Sequence, residues 1–246
     1  MSTDTVRLSP SWRGAVARVT RRLGVATLAG ALLGLVVGGI GGRLAMLLLA
    51  VRNPDATGRT SDDGFTMGQF TLSGTANLLV VATVIGVLGG GIYLALRELM
   101  IGPRWFRLCS ISIGPAVVVG ALVVHPDGVD FTVLGPLWLA VSLFVLVPAV
   151  YAVLLSVVAD RWLAGWSQPS WPQRVLLTAA LLLWIPLAPV LALGALGWLV
   201  AELVRRSAGE DALGSNPRLA WVARSALALL FLAALADLAR DVAALT

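Results

Sequence analysis

The chain has 246 residues, of which 58% are hydrophobic and 13% are charged, and its mean hydropathy is +0.90. Too few polar side chains are present to cover a water-soluble domain of this size, so the composition predicts an integral membrane protein. The formal net charge is +5, and because the arginines cluster beside apolar segments, they predict contact with anionic lipid at the cytoplasmic face of the bilayer and exclude nucleic acid as the partner.

The first predicted element is a basic amphipathic helix within residues 1–24. Its apolar stripe consists of Trp12, Val16, Val19 and Leu23. The arginines of this segment lie mostly off that stripe, which is typical of a helix in the membrane interface against anionic headgroups. A docking segment for a partner protein is the alternative. Residues 25–246 are predicted to form a single transmembrane domain.

Six apolar segments follow, each long enough to cross about 30 Å of hydrocarbon. They are residues 25–51, 72–96, 108–124, 131–159, 175–204 and 219–238. The last is the weakest, because Arg224 and Asp237 leave only the stretch between them fully apolar. The predicted fold is therefore an all-α polytopic transmembrane bundle of about six spans with an N-terminal amphipathic interfacial helix.

Arginines are concentrated before the first segment, after the second and after the fourth. The positive-inside rule therefore places the N-terminus and the loops at residues 97–107 and 160–174 in the cytoplasm. All basic residues are arginine and none is lysine, which we interpret as the coding bias of a GC-rich bacterial genome. The predicted location is accordingly a bacterial plasma membrane. Eight of the nine tryptophans fall at predicted membrane boundaries, and Trp184 alone lies deep.

The fifth segment contains Pro186 and Pro189, which lack the backbone N–H of a regular helix. The helix must therefore kink or reverse there. A kinked single span is favoured, because re-entrant segments need protein around them. The kinked span places Arg205 and Arg206 on the outer side of the membrane, against the positive-inside rule. The alternative is a re-entrant hairpin, which returns these arginines to the cytoplasm and lets the last helix run outward.

Glycine recurs at every fourth position of the first span: Gly30, Gly34, Gly38 and Gly42. Gly86 and Gly90 continue the same period in the second span. Small residues at this spacing let two helices approach backbone to backbone, so we expect the first two spans to be antiparallel neighbours. Leucine at Gly38 or Gly86 is predicted to destabilise the fold. Helix packing is favoured over a pore-lining role, and a homo-oligomer or another membrane protein stays open as the partner of this face.

Arg43 follows these glycines and is predicted to lie about 10 Å below the outer surface, where a charge needs a partner, and we expect Asp62 or Asp63 of the following loop to neutralise it. The candidate binding residues are Arg43, Asp62, Asp63, His125 and Asp127. The paired carboxylates of Asp62 and Asp63 suit calcium or magnesium. They lack the alternating spacing of an EF-hand, so a helix cap or turn is favoured over a metal site. This set predicts an outward-facing polar recess for a small solute or ion.

The chain has one cysteine, Cys109, and one histidine, so the sequence predicts neither a disulfide nor a multi-histidine metal centre. No Walker loop, dinucleotide-binding motif, GxSxG or HExxH sequence is present, and neither a cofactor nor catalytic residues are expected. The sequence is compatible with three classes of function: translocation or binding of a small solute or ion, a non-catalytic scaffold or subunit of a membrane complex, and a membrane-embedded enzyme. The first two are favoured.

Overall fold

The computed structural model describes residues 12–61, 64, 66–97, 99–189 and 217–245. Regular structure in this part of the chain is helical, apart from an isolated β-bridge between Thr60 and Thr66. Five of its helices are long and apolar enough to cross a membrane: Ala17–Arg52, Leu72–Leu96, Arg104–Val123, Leu137–Gly165 and Ala220–Ala244. The prediction of an all-helical polytopic membrane protein is thus supported, with five candidate spans in the described residues where the sequence predicts about six.

One continuous helical rod contains residues 12–24 of the predicted interfacial segment and the first span. It consists of α1 (Trp12–Leu33), a π-helix (Gly34–Gly41) and α2 (Gly42–Arg52). The residues that join these pieces keep right-handed helical backbone angles. No break separates the described basic residues from the apolar ones, so a separate interfacial helix is not confirmed.

The remaining helices are α3 (Leu72–Leu96), α4 (Arg104–Val123), α5 (Val129–Val133), α6 (Leu137–Gly165), α7 (Trp171–Leu182) and α8 (Pro217–Ala244). In the bundle, α1 contacts α3, α6 and α7, while α4 packs between α6 and α8. Because Ala26 lies against Gly90 and Gly34 against Ala82, α1 and α3 are antiparallel. The end where α1 begins is therefore the end where α3 stops and α4 starts.

The helix α7 stops in the middle of the bundle. Its 12 residues span about 18 Å, roughly three-fifths of the hydrocarbon core. Beyond Leu182 the chain continues in tight turns closed by hydrogen bonds between residues three apart, up to Ala188. The break comes just before Pro186, where the sequence predicts a kink or reversal.

The helices α7 and α8 begin at the same end of the bundle. Leu177 packs on Gly24 and the Trp184 indole donates to Thr27, so α7 runs parallel to α1. Arg224 at the start of α8 donates to the Leu99 carbonyl, 2.9 Å away. A single kinked span over residues 175–204 would start α8 at the opposite end, so the directions of the described helices favour the alternative, and the path of residues 175–204 stays a prediction. The re-entrant alternative agrees with both helix directions, although residues 190–216, with Arg205 and Arg206, lie outside the described part.

Cysteine labelling tests this arrangement. In a Cys109→Ser background, Ser167→Cys at the arginine-rich end and Ala244→Cys at the end of α8 should react with a membrane-impermeant thiol reagent from opposite sides of the membrane. Asp55→Cys, in the loop after α2, should react from the same side as Ala244→Cys. Labelling of Ser167→Cys and Ala244→Cys from one side would instead support six crossings. Permeabilised membranes, in which every exposed site reacts, provide the control.

Candidate functional site

The closest helix contact joins the glycines of the first rod to those of α3. A methyl group built on Gly30 would overlap the Gly86 carbonyl oxygen, and one on Gly34 would lie 2.8 Å from the Gly86 Cα atom. A methyl group on Gly90 would overlap the Ala26 carbonyl oxygen. These four glycines, all selected from the sequence, therefore lie in backbone contact, as expected for helices that meet through small residues.

The other two glycines of the predicted repeat do not share this contact. A methyl group on Gly38 would meet only the Ala82 side chain, at 3.2 Å, and one on Gly42 would have no neighbour within 4 Å. Gly39 takes the facing position instead, against Leu79. The π-helix explains the shift: its turns contain more residues than those of an α-helix, so the glycine five residues after Gly34 returns to the α3 face.

Toward the far end of this rod, Arg43 contacts α3 and Phe70, which lies two residues before α3 begins. Its Nε and Nη2 atoms donate to the Thr75 hydroxyl at 3.1 and 2.8 Å, and Thr75 donates in turn to the Thr71 carbonyl. The guanidinium lies 5.5 Å from the centre of the Phe70 ring, a cation–π distance. Asp62 and Asp63, the predicted partners, lie outside the described residues, so their pairing with Arg43 stays a prediction.

His125 and Asp127 lie at the same end of the bundle as Arg43 without joining it. The His125 Nε2 atom is 2.9 Å from the Leu122 carbonyl oxygen, and its Nδ1 atom is 3.7 Å from a carboxylate oxygen of Asp241 on α8. Asp127 is exposed. Among the described residues, no hydrogen bond or ion pair connects Arg43 to either of them. Of the predicted binding residues that the structure describes, Arg43 therefore lies apart from His125 and Asp127, and the cluster as a whole stays a prediction.

The opposite end of the bundle contains a cavity of about 510 Å³ where the end of α3 and the start of α4 face α6. We call it the arginine cavity, after its charged lining residues Arg97, Arg104, Arg107, Asp160 and Arg161. Four arginines against one aspartate leave a formal charge of +3 on the described lining. By the positive-inside rule this end is the predicted cytoplasmic one.

Asp160 organises one wall of the arginine cavity. Its Oδ1 atom accepts a 2.8 Å hydrogen bond from the Tyr93 hydroxyl and lies 3.3 Å from Nη2 of Arg97. Tyr93 is buried in a cluster with Ala29 and Leu155, so this network ties the charged wall to the core. Asp160 thereby neutralises and positions Arg97, and the positive charges of the other three arginines of the lining are not balanced.

Arg104, Arg107 and Arg161 supply that excess charge. In the part of the chain that the structure describes, their guanidinium groups donate no hydrogen bond and form no ion pair. They come from α4 and α6, more than 50 positions apart in the sequence, and meet at one cavity. Like charges brought together repel one another unless a counter-ion is present. The arrangement is therefore suited to an anion.

From the sequence, these arginines predict only the topology of the chain, and the cavity is not predicted. Two local signals point to it: Tyr93 lies one helical turn before Arg97, and Asp160 is adjacent to Arg161 at the same predicted end. Neither signal reveals that α3 and α6 face each other. Among the described residues, no group of three or more His, Cys, Asp or Glu side chains is placed to hold a metal ion.

The five long apolar helices make this chain an integral membrane protein that crosses the bilayer several times. Two groups of described charged side chains lie at opposite ends of the bundle, one around Arg43 and one around the arginine cavity. Comparisons with protein-family models, with curated proteins and with solved structures find no match for the chain.

Proposed function

We propose that this membrane protein binds a small anion or an anionic group, with phosphate chemistry the best fit, in the arginine cavity. The observation that carries the proposal is the convergence of Arg104, Arg107 and Arg161 on a cavity where no described side chain neutralises them. Guanidinium groups bind phosphate oxygens through paired, charge-assisted hydrogen bonds. The volume falls within the range of about 300–1,000 Å³ that is typical of small-molecule sites.

The fixed position of Arg97 is more than membrane orientation requires. Arginines that only fix orientation can extend separately into the headgroup layer, because the positive-inside rule needs charge in a loop and no particular geometry. Here Asp160 and Tyr93 hold Arg97 at one wall, while the start of α4 supplies two more arginines. This ordered wall lies beside arginines whose charge is not balanced, and the combination supports binding of an anion.

Translocation of the bound solute is the second candidate, with the Arg43 end as the outer opening. Two interruptions of regular helix favour it: the π-helix before Arg43, and the end of α7 in mid-bundle. Interrupted helices commonly line transport pathways and functional sites in membrane proteins.

A different observation favours the scaffold alternative. In a scaffold the small-residue faces serve only for helix packing, and Gly30, Gly34, Gly86 and Gly90 already make such contacts within one chain.

Calorimetric titration of the detergent-purified protein with inorganic diphosphate tests the binding proposal. The parent should bind saturably, and the double variant Arg104→Gln/Arg107→Gln should bind at least about tenfold more weakly, because two charge-assisted contacts are removed. Arg174→Gln is the matched control: this exposed arginine lies at the same end, outside the cavity, and donates to the Pro169 carbonyl.

The expected pattern is full binding by the parent and by Arg174→Gln, and loss in the double variant with its melting temperature kept within a few degrees. Equal weakening by Arg174→Gln would show that the anion responds only to the overall charge of this end, which contradicts a site. Absence of diphosphate binding by the parent, or unchanged binding by the double variant, would overturn the proposal.

A further inference from the structure

We infer that the anionic group is the headgroup of an anionic phospholipid, whose acyl chains lie along the apolar walls of the arginine cavity on α4 and α6. The inference rests on the proposed function and adds the source of the phosphate. A free anion needs only the charged rim. A lipid also uses the deeper part of the cavity, and the lining changes in chemistry with depth in the way that an amphiphile requires.

On α4 the lining changes from charged to apolar within one helical turn. Arg104 and Arg107 occupy the first turn of the helix, and Leu108 and Ile111 continue the lining on the next. One turn rises about 5.4 Å. The guanidinium level and the apolar level of the lining are therefore separated by roughly the distance between a headgroup phosphate and the first acyl carbons. Since α4 runs from this end into the bilayer, the apolar residues are the deeper ones.

The wall on α6 shows the same change in the reverse chain direction. Asp160 and Arg161 lie near the end of this helix, and Val157 lies one turn earlier and deeper. Val157 is 39% exposed, so its hydrocarbon faces open space. Two helices that run in opposite directions thus present charge at one level and apolar surface at the next. An inorganic anion would fill only the charged level of the cavity and make no use of that apolar surface.

The cavity also lies at the depth where headgroups are found. The neighbour of Arg104 is Trp105, which is 66% exposed, and indoles prefer the boundary between headgroups and hydrocarbon. Basic pockets between transmembrane helices at this level bind anionic headgroups. The formal +3 charge of the described lining favours an anionic lipid over a zwitterionic one.

Three probes separate a lipid from a free phosphate: phosphatidylglycerol in detergent micelles, phosphatidylcholine in the same micelles, and glycerol 3-phosphate without acyl chains. The parent should bind phosphatidylglycerol at least about tenfold more tightly than the other two, because only this probe offers both the charge and the hydrocarbon. Arg104→Gln/Arg107→Gln should weaken binding of phosphatidylglycerol and of glycerol 3-phosphate alike.

Apolar variants make the acyl contribution testable by itself. Leu108→Ser and Val157→Ser should weaken phosphatidylglycerol binding severalfold and leave glycerol 3-phosphate binding unchanged. Ile113→Ser, on the same helix as Leu108 but outside the cavity lining and 53% exposed, should change neither. Two lining variants on different helices keep the test valid if one of them fails to fold.

The outcomes distinguish the two levels of the proposal. Glycerol 3-phosphate that binds as tightly as phosphatidylglycerol, with no effect of either serine variant, would overturn the lipid assignment and retain the anion site. Equal binding of phosphatidylcholine would overturn the preference for an anionic headgroup. Binding of every probe that is insensitive to Arg104→Gln/Arg107→Gln would overturn the site itself, and the lipid inference with it.

Discussion

Gly86→Ala is expected to lower the free energy of unfolding by about 1–3 kcal/mol or more, the usual cost of overpacking a closed contact. The added methyl group would overlap the Gly30 carbonyl oxygen and lie 2.8 Å from the Gly34 Cα atom. Both obstacles are backbone, so no side-chain rotation relieves them. Separation of the helices would also disturb the 2.7 Å hydrogen bond from the Tyr151 hydroxyl to the Gly86 carbonyl. Denaturant titration in detergent measures the loss.

Two other glycines of the same pattern give graded controls. Gly38→Ala would meet only the Ala82 side chain and should cost less, while Gly42→Ala meets no atom within 4 Å and should gain up to about 1 kcal/mol from helix propensity. Leucine in place of alanine should destabilise the protein more at each position, and the loss of stability should again be larger at Gly86 than at Gly38. Equal stability of the Gly86→Ala and Gly42→Ala proteins would contradict the close contact between α1 and α3.

Trp184→Ala should have the largest effect of the single changes, about 3–5 kcal/mol, the range for removing a buried aromatic side chain. The indole is 8% exposed, packs with Ala31 and Val87, and lies against Gly91. Its Nε1 donates to the Thr27 hydroxyl at 2.8 Å, and this hydrogen bond links the turns after α7 to α1. We expect hydrogen exchange to become faster across α7 and thermal stability in detergent to fall.

Matched variants separate packing from hydrogen bonding at this position. Thr27→Val keeps the shape of the side chain but leaves the indole donor without an acceptor, and it should cost about 1–3 kcal/mol. Trp171→Ala removes a tryptophan that is 77% exposed at the start of α7, so it should leave exchange in α7 nearly unchanged. If Trp171→Ala and Trp184→Ala accelerated exchange equally, Trp184 would not be what holds α7 to the bundle.

The sequence by itself determined the features that depend on local composition and period. The apolar segment at residues 72–96 coincides with α3, and the last segment is a long helix despite Arg224 and Asp237. The close approach of Gly30 and Gly34 to Gly86 follows from small residues at helical spacing, and the break before Pro186 follows from a missing backbone donor. These properties need no knowledge of which helices are neighbours.

Only the tertiary structure decided which side chains meet. The direction of α8 rests on the contact of Arg224 with Leu99, and the arginine cavity rests on the approach of Asp160 to Tyr93, which is 67 positions earlier. The π-helix turned Gly39 toward α3 in place of Gly38, and Thr75 became the described partner of Arg43. Each of these depends on how one helix is rotated and placed against another. In a membrane, where nearly every helix face is apolar, hydrophobic pattern specifies neither, and close packing decides both.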